Sequence, residues 1–311
     1  MGQRVLITGA SGFIGRNCLR PFVERGYEVY AVGSSRGGDD EPGIHWHQAD
    51  LLDHGQLADV VEAAQADTLL HLAWIVKPGE AYTSLENFSW VTSSMELVQQ
   101  FVRHGGQRVV VAGTCYEYDQ TYGWCHEQRT PTIPDTTYGV CKNALRQLLT
   151  AYCRAAGVSF TWPRIFFLYG PYEHPNRLVS SVIRSLLNGE TARCSHGRQL
   201  RDYLYVEDLA DALVALCESE VQNEINIGSG EPMALAQIVT RIGELMERPD
   251  LIGLGALPSR PNDVPLVAAD TTRQRELLGW SPIRNLDTAL CRTIRCWHAQ
   301  QQECFSGGRI A

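Results

Sequence analysis

The chain has no C-x-x-C pair among its ten cysteines, no apolar stretch approaching a membrane span, and no surplus of basic side chains. Each absence excludes something. The cysteines (18, 115, 125, 141, 153, 194, 217, 291, 296, 304) lack metal-ligand or disulfide-framework spacing, so they are read as reduced thiols of a cytoplasmic protein. A bilayer span needs about 20 consecutive apolar residues, and nothing here comes near that. The first strand candidate begins just after Met1, so no secretory signal is expected; Leu6 stands where a myristoylated start has Ser or Thr. With 27 basic and 35 acidic side chains the formal charge is -8, which argues against a surface that tracks nucleic-acid phosphates. An anionic ligand must therefore meet local arginines.

What is present is a globular composition, 44% hydrophobic and 20% charged over 311 residues. Short β-branched runs alternate with longer amphipathic segments, the pattern of βα units feeding a parallel sheet. The strand candidates are 4–8, 28–32, 44–48, 68–72, 108–112 and 159–165, with helices over 12–25, 53–64, 84–104 and 136–156. The fold class expected is α/β, a doubly wound parallel sheet of the Rossmann kind with a smaller C-terminal substrate-binding lobe. Past Gly170 proline, glycine and arginine become frequent. A helix at 206–218 and a strand at 224–228 predict a return to the main sheet. The expected division is 1–168 plus about 203–229 for the dinucleotide domain, and about 169–202 plus 230–311 for the lobe. His45 and His47 share a strand face without Cys, Asp or Glu completing a metal spacing, so they are read as ordinary histidines and no metal is expected.

Thr8-Gly9-Ala10-Ser11-Gly12-Phe13-Ile14-Gly15 follows an apolar strand directly and opens a helix. In that setting Gly9 permits the tight turn, Gly12 admits backbone close to a pyrophosphate, and Gly15 lets helix meet strand. Ser11, Phe13 and Ile14 are cofactor-binding candidates with them. Nicotinamide proteins that select NAD place an acidic residue after the second strand; this chain has Gly33-Ser34-Ser35-Arg36. Ser34 and Ser35 can donate to a 2′-phosphate and Arg36 can pair with it, so NADP(H) is expected, with NAD(H) as the alternative.

Tyr138 and Lys142 lie four residues apart, on one helix face. A cation beside a phenol favours phenolate and would lower its ordinary pKa of about 10. Thr114 ends the run Val109-Val110-Val111-Ala112-Gly113, at the carboxyl end of a strand, where open α/β sheets build their sites. A hydroxyl there can orient a reacting oxygen.

The glycine spacing G-x-x-G-x-x-G, Thr114 four residues before Tyr118, and Tyr138-x-x-x-Lys142 together resemble the extended short-chain dehydrogenase/reductases, the sugar-nucleotide epimerase/dehydratase family, over essentially the whole chain. The resemblance implies that Tyr138 is the general acid/base and that Lys142 binds the nicotinamide ribose. It also implies that Asp50 and Leu51 hold the adenine end and that Leu72-Ala73 runs beside the cofactor. The segment from Pro163 to Pro171, with Phe166, would run under the nicotinamide into the sugar pocket; Phe167 departs from an Asn common in relatives. Arg201 and Arg260 would contact the nucleotide diphosphate, and Arg177 and His196 would lie in pocket loops. Family dehydratases follow the Thr with Asp-Glu, whereas Thr114 is followed by Cys115 and Tyr116, a substrate-binding candidate. Elimination then lacks its acid and base unless Glu117 substitutes. The expected function is NADP(H)-dependent reduction of a nucleotide-linked 4-keto-sugar, the alternative a sugar-nucleotide epimerase, and a third reading a non-catalytic NAD(P) sensor. The helices at 84–104 and 136–156 imply a homodimer by the same resemblance.

Overall fold

Parallel strands covered on both faces must be apolar on both, so they form where apolar residues run without alternation. The computed structural model describes residues 3–35, 41–75, 79–259 and 263–307. In it β1 (Arg4–Thr8), β2 (Glu28–Gly33), β3 (Ile44–Gln48), β4 (Thr68–His71) and β5 (Arg108–Val111) alternate with α1 (Phe13–Glu24), α2 (His54–Ala64) and α3 (Glu86–Arg103). β6 (Gly113–Thr114) and β7 (Trp124–Cys125) are short; α4 (Thr137–Ala156) and β8 (Ser159–Ile165) complete the next unit. The second lobe starts at β9 (Phe167–Tyr169), followed by α5 (Leu178–Leu187), β10 (Ala192–Arg193), β11 (Leu200–Arg201) and β12 (Tyr203–Tyr205). α6 (Val206–Glu218) and β13 (Asn223–Ile227) return to the main sheet. β14 (Met233–Ala234), α7 (Leu235–Leu245), β15 (Ile252–Gly253), β16 (Leu266–Ala269), α8 (Thr272–Leu278) and α9 (Leu286–Gly307) finish the described chain.

The main sheet runs β3-β2-β1-β4-β5-β8-β13 with every neighbouring pair parallel, and β6 adds to β8. This is the doubly wound α/β fold. Its crevice opens at the carboxyl ends of β1 and β4, where the strand order reverses. α1 buries Gly15, Cys18, Leu19 and Phe22, a three-and-four spacing that lays one face against the sheet and α6. Burying a side chain the size of Leu19 or Phe22 stabilises by about 1.5–3 kcal/mol. α2, α3 and α4 cover the other face through Leu57, Leu97, Leu145 and Leu149.

The strand expected over 108–112 ends one residue early, at Val111. Ala112 donates its N–H to His71 O, but its carbonyl is taken by the Lys142 ammonium at 3.0 Å, so β5 stops at Val111 and pairing resumes at Gly113 on β8. β7 leaves the main sheet to join the order β14-β11-β16-β7 in the second lobe. Among the described residues, no helix is long and apolar enough to cross a membrane.

Candidate active site

The first βα turn forms a cradle that only glycine allows. Gly9 has φ of +70°, and a Cβ there would sit 2.7 Å from Ala73 N; one at Gly15 would sit 2.3 Å from Gly9 O. No side chain caps α1 at Gly12, so its first N–H groups face the crevice without a side-chain acceptor. This arrangement fits a dinucleotide diphosphate on the helix N-terminus. At the end of β2, Ser34 and Ser35 are exposed, and Gly33 has no room for a Cβ against Ser11 Oγ. Arg36 lies outside the described residues. Asp50 is exposed past β3 with its carboxylate accepting from Leu52 N at 3.0 Å, and Leu51 is buried beneath α3.

Thr114 is 6% exposed and opens a short turn closed in both directions. Its hydroxyl accepts from Tyr116 N at 3.3 Å, while Glu117 accepts from Thr114 N at 2.9 Å. Glu117 is wholly buried. Its Oε1 also accepts from Trp162 Nε1 at 2.8 Å, and its Oε2 accepts from Arg164 Nε at 2.8 Å. Three of the about four acceptor sites of that carboxylate are therefore taken by the fold.

α4 starts at Thr136, whose hydroxyl accepts from Gly139 N, and its buried face carries Cys141, Lys142, Leu145 and Leu149. The four-residue step from Tyr138 to Lys142 thus points phenol and ammonium to one cleft. The Tyr138 phenol hydrogen-bonds the Thr114 hydroxyl. Its acidity differs from the sequence expectation. Burial pushes the phenol well above its usual value, and the Thr114 hydrogen bond opposes this only in part. Lys142, 4% exposed, turns to Ala112 O and stands 3.8 Å over the Trp74 ring. Burial brings the ammonium itself down to about 7, against the pull of Glu117. Desolvation is the largest influence on both groups.

Glycine turn, phenol and ammonium line one cavity of about 570 Å³. Gly9, Ser11, Gly12, Phe13, Ile14 and Gly15 form one end, with Leu72 and Ala73 on its side. Thr114, Tyr116, Tyr138, Lys142, Phe166, Phe167 and Arg177 reach the other end. Arg201 is not brought there: it is buried against Asp263 in an ion pair, 5.6 Å from the Phe167 ring. His196 accepts from Arg198 N in a turn away from the cleft, and Arg260 lies outside the described residues. His45 bonds Glu28 and stacks on Tyr30 with His47.

Among the cavity residues that carried no expectation are Trp74, Tyr82, Glu173 and Tyr203. Tyr82 donates to the Tyr116 hydroxyl at 3.2 Å and accepts from Arg177 at 3.4 Å. Trp74 directly follows Leu72-Ala73 and Tyr203 directly follows Arg201-Asp202, so adjacency to quoted motifs was a usable signal. Tyr82 and Glu173 stand in loops without one.

A cradle for a dinucleotide at one end of a cleft and a buried phenol with its hydroxyl partner at the other define a nicotinamide-dependent enzyme. Residues 5–228 match the NAD dependent epimerase/dehydratase family, and the chain belongs to it, as an extended short-chain dehydrogenase/reductase. It is 29% identical over 309 residues to UDP-glucuronic acid decarboxylase 1 of Xenopus tropicalis, covering 94% of this chain and 71% of that protein. It is 26% identical to the UDP-glucuronate 4-epimerase of Thermodesulfobacterium geofontis, covering 98% and 99%. Among solved structures, MoeE5 in complex with UDP-glucuronic acid and NAD is similar with a TM-score of 0.84 and 29% identity, covering 96% of this chain and 99% of that one.

Proposed function

We propose that this chain is an NADP(H)-dependent 4-ketoreductase of a nucleotide-linked sugar, with Tyr138 as general acid. The observation that carries it is the engagement of Glu117. With that carboxylate held by Arg164, Trp162 and the Thr114 backbone, and with Cys115 and Tyr116 in place of a carboxylate pair, elimination has no free carboxylate beside Thr114 to serve as its base. Tyr138 is then the proton donor. Burial keeps its phenol protonated at neutral pH, which suits giving a proton to a carbonyl oxygen better than taking one from a hydroxyl.

Backbone N–H groups of residues 9–15 would hold the diphosphate of the dinucleotide, Asp50 and Leu51 its adenine end, Leu72 and Ala73 its flank, and Phe166 with Lys142 its nicotinamide end. When bound, the cofactor supplies the hydride. Thr114 orients the carbonyl oxygen towards the phenol. The exposed Ser34 and Ser35, with no carboxylate at the end of β2, support a 2′-phosphate there, and Arg36 is proposed as its cation. Arg177 and Tyr116 flank the sugar. Arg201 would reach a diphosphate by exchanging Asp263 for it, and Arg260 is assigned to the same group. The setting proposed is the cytoplasm, and the proposed homodimer joins through α3 and α4, which expose Phe88, Val140 and Leu148.

The similarity to a UDP-glucuronate 4-epimerase across nearly the whole chain favours a second reading, a sugar-nucleotide epimerase. Following NADPH absorbance with a panel of nucleotide-linked 4-keto-sugars separates the two. Stoichiometric loss of NADPH is expected; a tightly copurifying dinucleotide and turnover without added NADPH would assign the epimerase. Arg36→Ala should raise the Michaelis constant for NADPH about tenfold and leave that for NADH unchanged. Equal effects on both would remove the case for NADP.

A further inference from the structure

Two destabilising features coincide on the cavity wall beside the first turns of α1. Tyr172 has φ of +68°, a left-handed conformation that is strained for a non-glycine residue. The next residue, Glu173, is 5% exposed yet lines the cavity. Neither feature helps the fold. A buried carboxyl without a paired cation is unfavourable, and a strained residue ahead of it is unfavourable again. Their combination at a ligand cleft points to use by the ligand.

One carboxylate oxygen of Glu173 has no hydrogen-bond partner among the described residues. Oε2 accepts from the Ser180 hydroxyl of α5 at 2.6 Å. No ion pair within 4.0 Å ties it to Arg177 among the described residues; that guanidinium donates to the Tyr82 hydroxyl instead. Tyr203 of β12 is near enough to feel its charge. Burial pushes the carboxyl up to about 7, against the Ser180 hydrogen bond and the Arg177 charge. Arg177 and Glu173 thus present a donor and an acceptor of opposite charge on one wall, beside the rings of Tyr82, Tyr116 and Tyr203. A net charge does not suit such a wall, but a neutral hydroxyl does.

We infer that Glu173 is a specificity-determining residue that accepts a hydrogen bond from a ring hydroxyl of the sugar, separately from the groups that hold the nucleotide. This rests on the nucleotide-sugar reading above. Binding of UDP-glucose and dTDP-glucose, each beside its free nucleoside diphosphate, is to be measured by calorimetry from pH 6 to pH 8. The wild type should bind the sugar nucleotide more tightly as pH rises, because an ionised acceptor makes the stronger hydrogen bond. Glu173→Ala should weaken the sugar nucleotide about tenfold and leave the nucleoside diphosphate unchanged. Glu173→Gln should keep the fold and lose the pH dependence. An equal loss for both ligands, no loss for either, or a pH dependence retained in Glu173→Gln overturns the assignment. A wild type that binds none of these ligands at any pH overturns the nucleotide-sugar reading and this one with it, whereas NADPH oxidation failing while sugar binding behaves as expected removes the reductase alone.

Discussion

The parallel sheet and the second lobe are held by different forces. Strands of the main sheet run up to seven residues and bury aliphatic side chains on both faces, such as Val5, Ile7 and Val110 on one and Leu6, Leu69 and Val109 on the other. Strands of the lobe are as short as two residues, and carboxylates tie them together. The fully buried Asp202 is the main tie: Oδ1 accepts from Ser229 N at 2.7 Å and Ser229 Oγ at 2.6 Å, and Oδ2 accepts from Gly230 N and Ala269 N at 3.0 Å each. Arg284 likewise bridges Asp208 and Asp211 on α6. The sheet spreads its stability over many apolar contacts, so it can afford a strained glycine turn and a buried ammonium. The lobe concentrates stability in a few polar groups, so it is sensitive at single positions.

The contrast can be tested in order of effect. Tyr138→Phe removes the acid from the sheet side without touching either support. A fall of about 10²–10⁴-fold in kcat is expected with unfolding stability nearly unchanged; a joint loss of both would mean that the phenol is structural. Asp202→Ala strips four hydrogen bonds from the lobe and should cost about 3–5 kcal/mol by denaturant titration. A cost under about 1 kcal/mol would erase the difference between the regions. His71, sealed in the sheet between Thr8 Oγ1 and Ser94 Oγ, is pushed down to about 3, first by burial and then by Lys142. The folded state resists its protonation, so stability present above about 6.5 should be lost as pH falls towards 3, by up to about 1.4 kcal/mol per unit. In His71→Asn that acid limb should flatten. The smallest effect belongs to Thr136→Ala, which removes the cap of α4 and should cost about 1 kcal/mol, seen as a modest drop in Tm.

The same division decides what the sequence disclosed. Segments 4–8, 44–48, 159–165 and 206–218 have the same bounds in sequence pattern and structure, because each is long enough for its burial to show as a pattern. A two-residue strand carries no period, so β10, β11, β14 and β15 were invisible, and β7 gave no sign that it crosses into the lobe sheet. The glycine turn, Thr114, Tyr138 and Lys142 were legible because local spacing already fixes their faces. Trp74, Tyr82, Glu173 and Tyr203 meet them only through tertiary contact. The acidity of Tyr138 went the other way for a related reason. Spacing gives proximity to a cation, but how deeply the pair is buried is a property of the assembled cleft.

The turn from Thr114 to Glu117 has a consequence for how such sites diversify. Glu117 ties itself to Thr114 and to the strand behind them, and the Thr114 hydroxyl holds the Tyr116 backbone, while the side chains of the inner pair take no part in that lock. Chemistry at the reacting centre can therefore be exchanged at positions 115 and 116 on an unchanged mount, and replacing this pair is the shortest route by which a chain of this design could acquire or lose a proton-transfer step.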